Sequence, residues 1–247
     1  MAEKAIVAGA TPDEVGPLPT GTVTFLFTDI EGSTRLLTEA GDGYAALLEE
    51  HRRLLRNAFA AGGGHEVDTQ GDSFFVAFAS APAAVMSAVQ GQRVLAAHPW
   101  PAGQRVRVRM GLHTGEATTT RGGYVGLAVH RAARVAALAH GGQVLLTGAT
   151  AALVAEGLPD GTTLRDLGEH QLKDFHRPVR LYQLEVAGLQ SEFPPLHTSG
   201  RNTRLPTFPG DFVGREPEIT ATAGLLLQGR RRLVTVTGPG AGDPRSR

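Results

Sequence analysis

Two apolar rhythms alternate along the chain. From Thr22 to Thr28 β-branched and aromatic residues follow one another as in a strand, which breaks at Asp29 into a turn containing Gly32. Ser33 and Thr34 suit a helix start. From Tyr44 to Ala61 the spacing becomes helical, with Leu47, Leu48, Leu54, Leu55 and Phe59 on one stripe and Gly62-Gly63-Gly64 as the stop. His65–Thr69 and Ser73–Phe78 predict a hairpin turning at Gly71-Asp72. Ala81–Ala97 predicts a helix stopped by Pro99, and Val106–Ala117 a strand in which Val106, Val108 and Met110 alternate with Arg105, Arg107 and Arg109. A helix over Leu127–Ala139, a strand over Gln143–Thr147 and a short helix over Ala149–Glu156 follow. Leu164–His170 and Val179–Val186 read as an antiparallel pair. The order β-α-β-β-α-β-α-β-α-β-β predicts a mixed sheet with helices over one or both faces.

The two ends read differently. Residues 1–20, with Pro12, Pro17 and Pro19, are expected to form a disordered leader before a domain over 21–186. Residues 187–211, with Phe193-Pro194-Pro195 and the polar stretch Thr198–Thr203, read as a linker. In 212–247 the apolar run Leu233–Thr237 feeds Gly238-Pro239-Gly240-Ala241-Gly242, as a phosphate-binding loop begins. The Lys and Ser/Thr that should follow are replaced by Asp243-Pro244-Arg245-Ser246-Arg247, so this part reads as a truncated stub.

Composition narrows the partners. With 41% apolar residues in 247, the chain can bury one large core, and its formal net charge of zero provides no global field for nucleic acid or an anionic membrane. There is no Cys, hence no disulfide framework or thiolate metal site. The start lacks a signal-peptide pattern, and no run approaches the roughly 20 apolar residues of a membrane span. These features predict a soluble, cytoplasmic protein.

The candidate chemistry lies in two Asp-bearing turns. Asp29 and Asp72 each flank a strand of what should be one sheet. Mg²⁺ or Mn²⁺ takes oxygen ligands and typically only one or two carboxylates. Two such ions, roughly 3.5–4 Å apart, can share them and clamp the attacking and leaving oxygens of a phosphoryl transfer. Gly32, Ser33 and Thr34, leading into a helix, offer N–H donors to phosphates. The plainer alternative makes Asp29 a helix cap and Asp72 a turn residue. Their joint occurrence favours the metal reading.

Phe27-Thr28-Asp29-Ile30-Glu31-Gly32-Ser33-Thr34, Gly71-Asp72 and the stretch from Gly126 to Arg134 resemble the catalytic core of the class III adenylate/guanylate (nucleotidyl) cyclases. The stretch from about Asn202 to Gly242 is similar to the linker and first strand of the NTPase domain of some bacterial regulators. The resemblance implies an α+β, ferredoxin-like mixed/antiparallel sheet with helices packed on it, acting as a head-to-tail homodimer. Asp29, the Ile30 carbonyl and Asp72 of one subunit would hold two Mg²⁺ or Mn²⁺ ions, and the loop Glu31, Gly32, Ser33 and Thr34 would receive phosphates. The other subunit would supply His130 and Arg134. The implied reaction is attack of the nucleotide 3′-hydroxyl on its own α-phosphate, giving a cyclic nucleotide for intracellular signalling.

At some positions the chain departs from the family pattern. His130 stands where an Asn usually bonds the ribose ring oxygen. The base-selecting positions, usually Lys and then Asp or Thr in adenylate cyclases, are Asp68 and Gly123. A carboxylate at 68 is an acceptor that suits guanine, and Gln70 can rotate its amide to serve either base. The expected substrate is ATP. GTP, or a weakly active nucleotide-binding module, is the alternative. His51, His65, His98, His113, His140, His170 and His176 show no metal-ligand spacing and are expected to be surface or core histidines. Leu172-Lys173-Asp174 reads as fold-supporting, and Arg52-Arg53 and Arg230-Arg231-Arg232 as solvated faces.

Overall fold

The computed structural model describes residues 17–197, together with Thr220 and Gly224. The chain divides into two units, Met1–Asn202 and Thr203–Arg247. Most of the predicted leader, and the stretch read as an NTPase-type start apart from helical Thr220 and Gly224, lie outside the described residues.

In the first unit the strands are β1 (Thr22–Ile30), β2 (His65–Gln70), β3 (Ser73–Phe78), β4 (Val108–Glu116), β5 (Thr118–Thr120), β6 (Gly123–Val125), β7 (Val144–Thr147), β8 (Thr162–His170) and β9 (Val179–Val186). The helices are α1 (Ser33–Ala40), α2 (Tyr44–Ala61), α3 (Ala81–Ala97), α4 (Leu127–Leu138) and α5 (Gly148–Val154). Seven strands form one sheet in the order β2-β3-β1-β4-β7-β9-β8. Within it β4 and β7 are parallel and every other neighbouring pair is antiparallel. The α+β architecture read from the sequence is present.

Both faces of the sheet are covered, and β1 shows why. Its side chains alternate, so Leu26 and Ile30 enter one core with Leu47, Leu55 and Phe59 of α2, Val85 and Ala88 of α3, and Met110 of β4. Val23 and Phe25 point the other way, into a second core with Ala128 and Ala132 of α4. Burying each large side chain stabilises the fold by roughly 1.5–3 kcal/mol before entropy is subtracted. The exposed pair Arg56–Glu66 sits in a range of about 0.2–1 kcal/mol and decides little.

Most element ends shift by one or two residues from the sequence expectation, and two differences bear on the site. β1 does not break at Asp29 but runs on to Ile30, because β4 pairs with it through Asp29↔Arg109 and Ile30↔Val108. Partner-strand pairing here outweighs the local turn signal. The β5–β6 hairpin was not expected, since strands of three residues are too short to show an alternating pattern. Among the described residues, no helix is long and apolar enough to cross a membrane.

Buried polar groups are mostly paired. Thr24 and Thr114 share a hydrogen bond of 2.9 Å, and Thr114 and Thr150 one of 3.1 Å. His113 completes the set. Its Nε2 faces the donating Arg131 guanidinium at 3.3 Å, so its Nδ1–H donates to Thr147 Oγ1 at 2.8 Å. Burial, with the Arg131 charge adding to it, pushes His113 down to about 4. His51 lies fully buried beside Phe74, with no hydrogen-bond partner for either ring nitrogen. Burial, reinforced by Arg52, likewise lowers it to about 4.

Both histidines are neutral in the folded state, whereas the unfolded chain takes up their protons below its ordinary histidine value of 6.5. Their contribution is complete above that value and is lost as pH falls toward about 4. The expected outcome is a melting temperature that declines across this window, and a His51→Leu variant with a shallower decline and a higher melting temperature in mild acid. Calorimetry at several pH values checks both.

Candidate functional site

The end of β1 and the turn between β2 and β3 meet because β3 pairs with β1 as far as Thr28↔Phe74. That register sets Asp29 beside the start of β3, where Ser73 Oγ donates to Asp29 Oδ1 at 2.9 Å. The Ile30 N–H donates to Asp72 Oδ2 at 3.2 Å. Asp29, Ile30 and Asp72 therefore form one cluster. On the far side, Arg109 lies directly opposite Asp29 in β4 and grips its Oδ2 through Nε, at 2.9 Å, and Nη2.

Partial burial and the neighbouring Asp29 charge raise the Asp72 carboxyl above its ordinary range, against the lowering effect of its N–H donors. A cation between the carboxylates would relieve this. The donor set, two carboxylates with a main-chain segment between them, suits a hard divalent ion such as Mg²⁺ or Mn²⁺.

The Asp72 turn has its own brace. Arg52 of α2 donates to the Gly71 carbonyl through Nε at 3.2 Å and Nη2 at 2.7 Å. Arg52 is thus not a solvated residue as expected; a helix packed beside the hairpin turns it inward. Arg53 does pair at the surface, with Glu50.

Of the four residues expected to receive phosphates, three open α1. Gly32, in the left-handed region at φ 69°, precedes the helix, and its carbonyl accepts the Leu36 N–H at 3.0 Å. Ser33 and Thr34 fill the first turn, whose N–H groups have no acceptor one turn earlier. Glu31 does not belong with them. Its N–H is spent on the Arg107 carbonyl at 2.9 Å, and its carboxylate turns toward His140 and His197. The cause is the same β4 pairing that prolongs β1.

The two positions expected to select the base approach each other through Val67 of β2. Asp68 follows a bulge in β2 and accepts from Gln70 Nε2 at 2.9 Å. Gly123 has φ 130°, and a Cβ there would stand 2.7 Å from Val67 Cγ1, beside Asp68. No side chain fits at 123 without displacing Val67.

His130 and Arg134 sit four residues apart on α4, His130 exposed and Arg134 partly so. Arg134 Nη2 donates to Asp174 Oδ2 at 2.8 Å. Asp174 holds φ 68° in the loop between β8 and β9. Within one chain, then, Asp29 is paired with Arg109, and Arg134 with Asp174. Leu172 is buried among α4 and β9 side chains, as a fold-supporting residue should be, but Asp174 is a direct partner of Arg134. Sequence reasoning missed Ser73, Arg109, Arg52 and Asp174 as supports. Only strand register could have revealed Arg109, and nothing local marks Arg52.

Residues 16–186 match the family model described as adenylate and guanylate cyclase catalytic domain. An uncharacterized protein of Mycobacterium tuberculosis is 38% identical over 206 residues, covering 82% of this chain and 70% of that one. The adenylate cyclase of Lachancea kluyveri is 35% identical over 159 residues, 54% of this chain but 9% of that much longer protein. Among solved structures, an adenylate cyclase of Trypanosoma brucei in its monomeric state superposes with a TM-score of 0.68 at 29% identity, covering 76% of this chain and 99% of that one.

Addition of Mn²⁺ is expected to raise the melting temperature of the protein, with the shift lost in Asp29→Asn and in Asp72→Asn. Arg52→Ala should keep the fold but weaken Mn²⁺ by about 10-fold, as loss of a supporting contact typically does. A thermal-shift titration reads all four proteins.

Proposed function

The chain belongs to the adenylate and guanylate cyclase catalytic domain family, the class III cyclases, and we propose that it converts ATP to 3′,5′-cyclic AMP and pyrophosphate. The observation that carries this reading is the convergence of Asp29, Ile30 and Asp72 at one sheet end, with the first turn of α1 beside them. Asp29, Asp72 and the Ile30 carbonyl would hold two Mg²⁺ or Mn²⁺ ions. Bound there, such ions neutralise phosphate charge and favour ionisation of the attacking hydroxyl.

The remaining work falls to the chain's own groups. The 3′-oxygen forms a bond to the α-phosphorus, the bond to the bridging oxygen breaks, and pyrophosphate leaves while the hydroxyl proton goes to solvent. N–H groups of the α1 start receive the departing phosphates. Arg134 supplies a planar, permanently charged donor fork to the oxygens on which charge accumulates. His130 donates to the ribose. Asp174 holds Arg134 until substrate takes its place.

Arg134 and His130 act on the nucleotide held by the Asp pair of a second copy. Two features support this. Each half-site has its own counter-ion within the chain, and Val125 and Leu127, beside His130, are large apolar residues left 54% and 69% exposed. Exposed apolar residues next to a charged site suit a partner surface.

ATP is proposed because named relatives such as that of Lachancea kluyveri are adenylate cyclases. The GTP reading rests on Asp68, a half-buried acceptor where adenylate cyclases carry a donor, and on Gly123, which provides no side-chain acceptor.

With Mn²⁺ the protein should form cyclic AMP from ATP faster than cyclic GMP from GTP; a clear GTP preference overturns the substrate assignment. Arg134→Ala should lower kcat by about 100-fold or more while preserving the Mn²⁺ thermal shift. Mixing inactive Asp72→Asn and Arg134→Ala proteins should restore about a quarter of wild-type activity, since half the dimers are mixed and each has one intact site. No recovery after demonstrated subunit exchange would place both halves in one chain.

A further inference from the structure

We propose that Glu31, His140 and His197 form a second metal site, for a borderline divalent cation such as Zn²⁺, separate from the Asp29/Asp72 cluster. Each offers one ligand atom, and these atoms lie within 4.8 Å of one another. His140 Nδ1 stands 3.6 Å from Glu31 Oε1, His197 Nε2 stands 3.9 Å from the same oxygen, and the two imidazole centroids are 4.1 Å apart.

The hydrogen bond of His140 fixes its tautomer. Its Nε2 lies 3.0 Å from the Pro195 carbonyl oxygen. A carbonyl has no proton to give, so Nε2–H donates and, in the neutral ring, Nδ1 presents a lone pair toward the Glu31 carboxylate. Two acceptors facing each other across 3.6 Å repel unless a cation or a proton lies between them. A carbonyl on the outer nitrogen is also how metal-bound histidines are usually oriented. Around an ion with bonds of about 2.0–2.1 Å, tetrahedral ligands stand roughly 3.3–3.4 Å apart, so small side-chain rotations close the site. Three protein ligands leave a fourth position for water.

The surroundings are constructed for this approach. The His140 N–H donates to Gln143 Oε1 at 3.0 Å, Gln143 Nε2 to Gln183 Oε1 at 2.7 Å, and Gln183 Nε2 to the Ser191 carbonyl at 2.6 Å. Gln143 and Gln183 are buried. The His197 N–H donates to the Leu138 carbonyl at 3.0 Å, pinning the segment against the end of α4. Gly141 leaves room for Glu31: a Cβ there would lie 2.8 Å from Glu31 Oε2. Sequence spacing showed no metal pattern around His140 because its partners lie in a distant strand end and in the segment after β9.

Two imidazoles and one carboxylate favour Zn²⁺, Co²⁺ or Ni²⁺ over Mg²⁺, whose preference is for oxygen. The ion would fasten His197, in the stretch after β9, to the residue next to Ile30. The inference is independent of turnover and of base preference.

The test is calorimetric titration of the full chain with Zn²⁺ in excess Mg²⁺, on an Asp72→Asn background so that the carboxylate pair does not compete. One Zn²⁺ per chain is expected, and His197→Ala should weaken it at least 10-fold. His197 is exposed, so the metal-free melting temperature of that variant should stay unchanged. Co²⁺ should give the intense visible bands of a tetrahedral site, lost in His140→Gln. Hydrogen exchange around residues 190–197 should slow with Zn²⁺. Equal Zn²⁺ affinity with and without His197, or weak Co²⁺ bands that persist in both variants, overturns the proposal.

Discussion

The pairing of β1 with β4 carries past the point where the local sequence suggests a turn, and much of the site follows from it. Two more residue pairs in register place Asp29 opposite Arg109 and aim the Ile30 N–H at Asp72. The resulting carboxylates are close enough for one charge to disfavour the other. Arg109 balances Asp29, while Arg52 and Ser73 hold the turn and the strand start around it. The same extension consumes the Glu31 N–H, removes Glu31 from the phosphate loop and points its carboxylate toward His140. One strand's length thus groups Asp29 with Asp72 and sends Glu31 toward His140.

The helices complete this arrangement through their separation onto opposite faces. α2 and α3 lie behind the hairpin that carries Asp72, so Arg52 reaches the turn from its rear. α4 lies on the other face, bedded through Ala128 and Ala132, and raises His130 and Arg134 away from the sheet. Small alanines let this helix approach closely while its polar residues remain available. The Arg134 guanidinium is engaged by Asp174 of the β8–β9 loop.

Much of the architecture was legible in the chain because it rests on period and punctuation. Leu47, Leu55 and Phe59 announced α2, the triple glycine its end, and the Val–Arg alternation β4. Asp29 and Asp72 stood out as polar residues at apolar run ends. What stayed hidden was set by contacts far apart in sequence. The partner of Asp29 is 80 residues away and that of Arg134 is 40 away. Sequence adjacency groups Glu31 with Gly32 to Thr34, although the main chain sends it in a different direction. Arg52 and Arg53 are adjacent and chemically identical, yet one braces a turn and the other meets solvent; no local rule separates them. Three-residue strands such as β5 and β6 lie below the length at which alternation carries information.

The closure of position 123 has a consequence for how this domain can diverge. With Val67 occupying the space that a side chain would need, position 123, one of the two proposed base-reading places, is held to glycine unless Val67 moves. On the proposed function, discrimination then rests on a single short strand, in which Asp68 and Gln70 are neighbours on one face and already bonded to each other. A change of nucleotide preference need not coordinate two remote parts of the chain. It can proceed by stepwise drift within three consecutive residues, while the hairpin that bears Tyr124 remains free to serve packing alone.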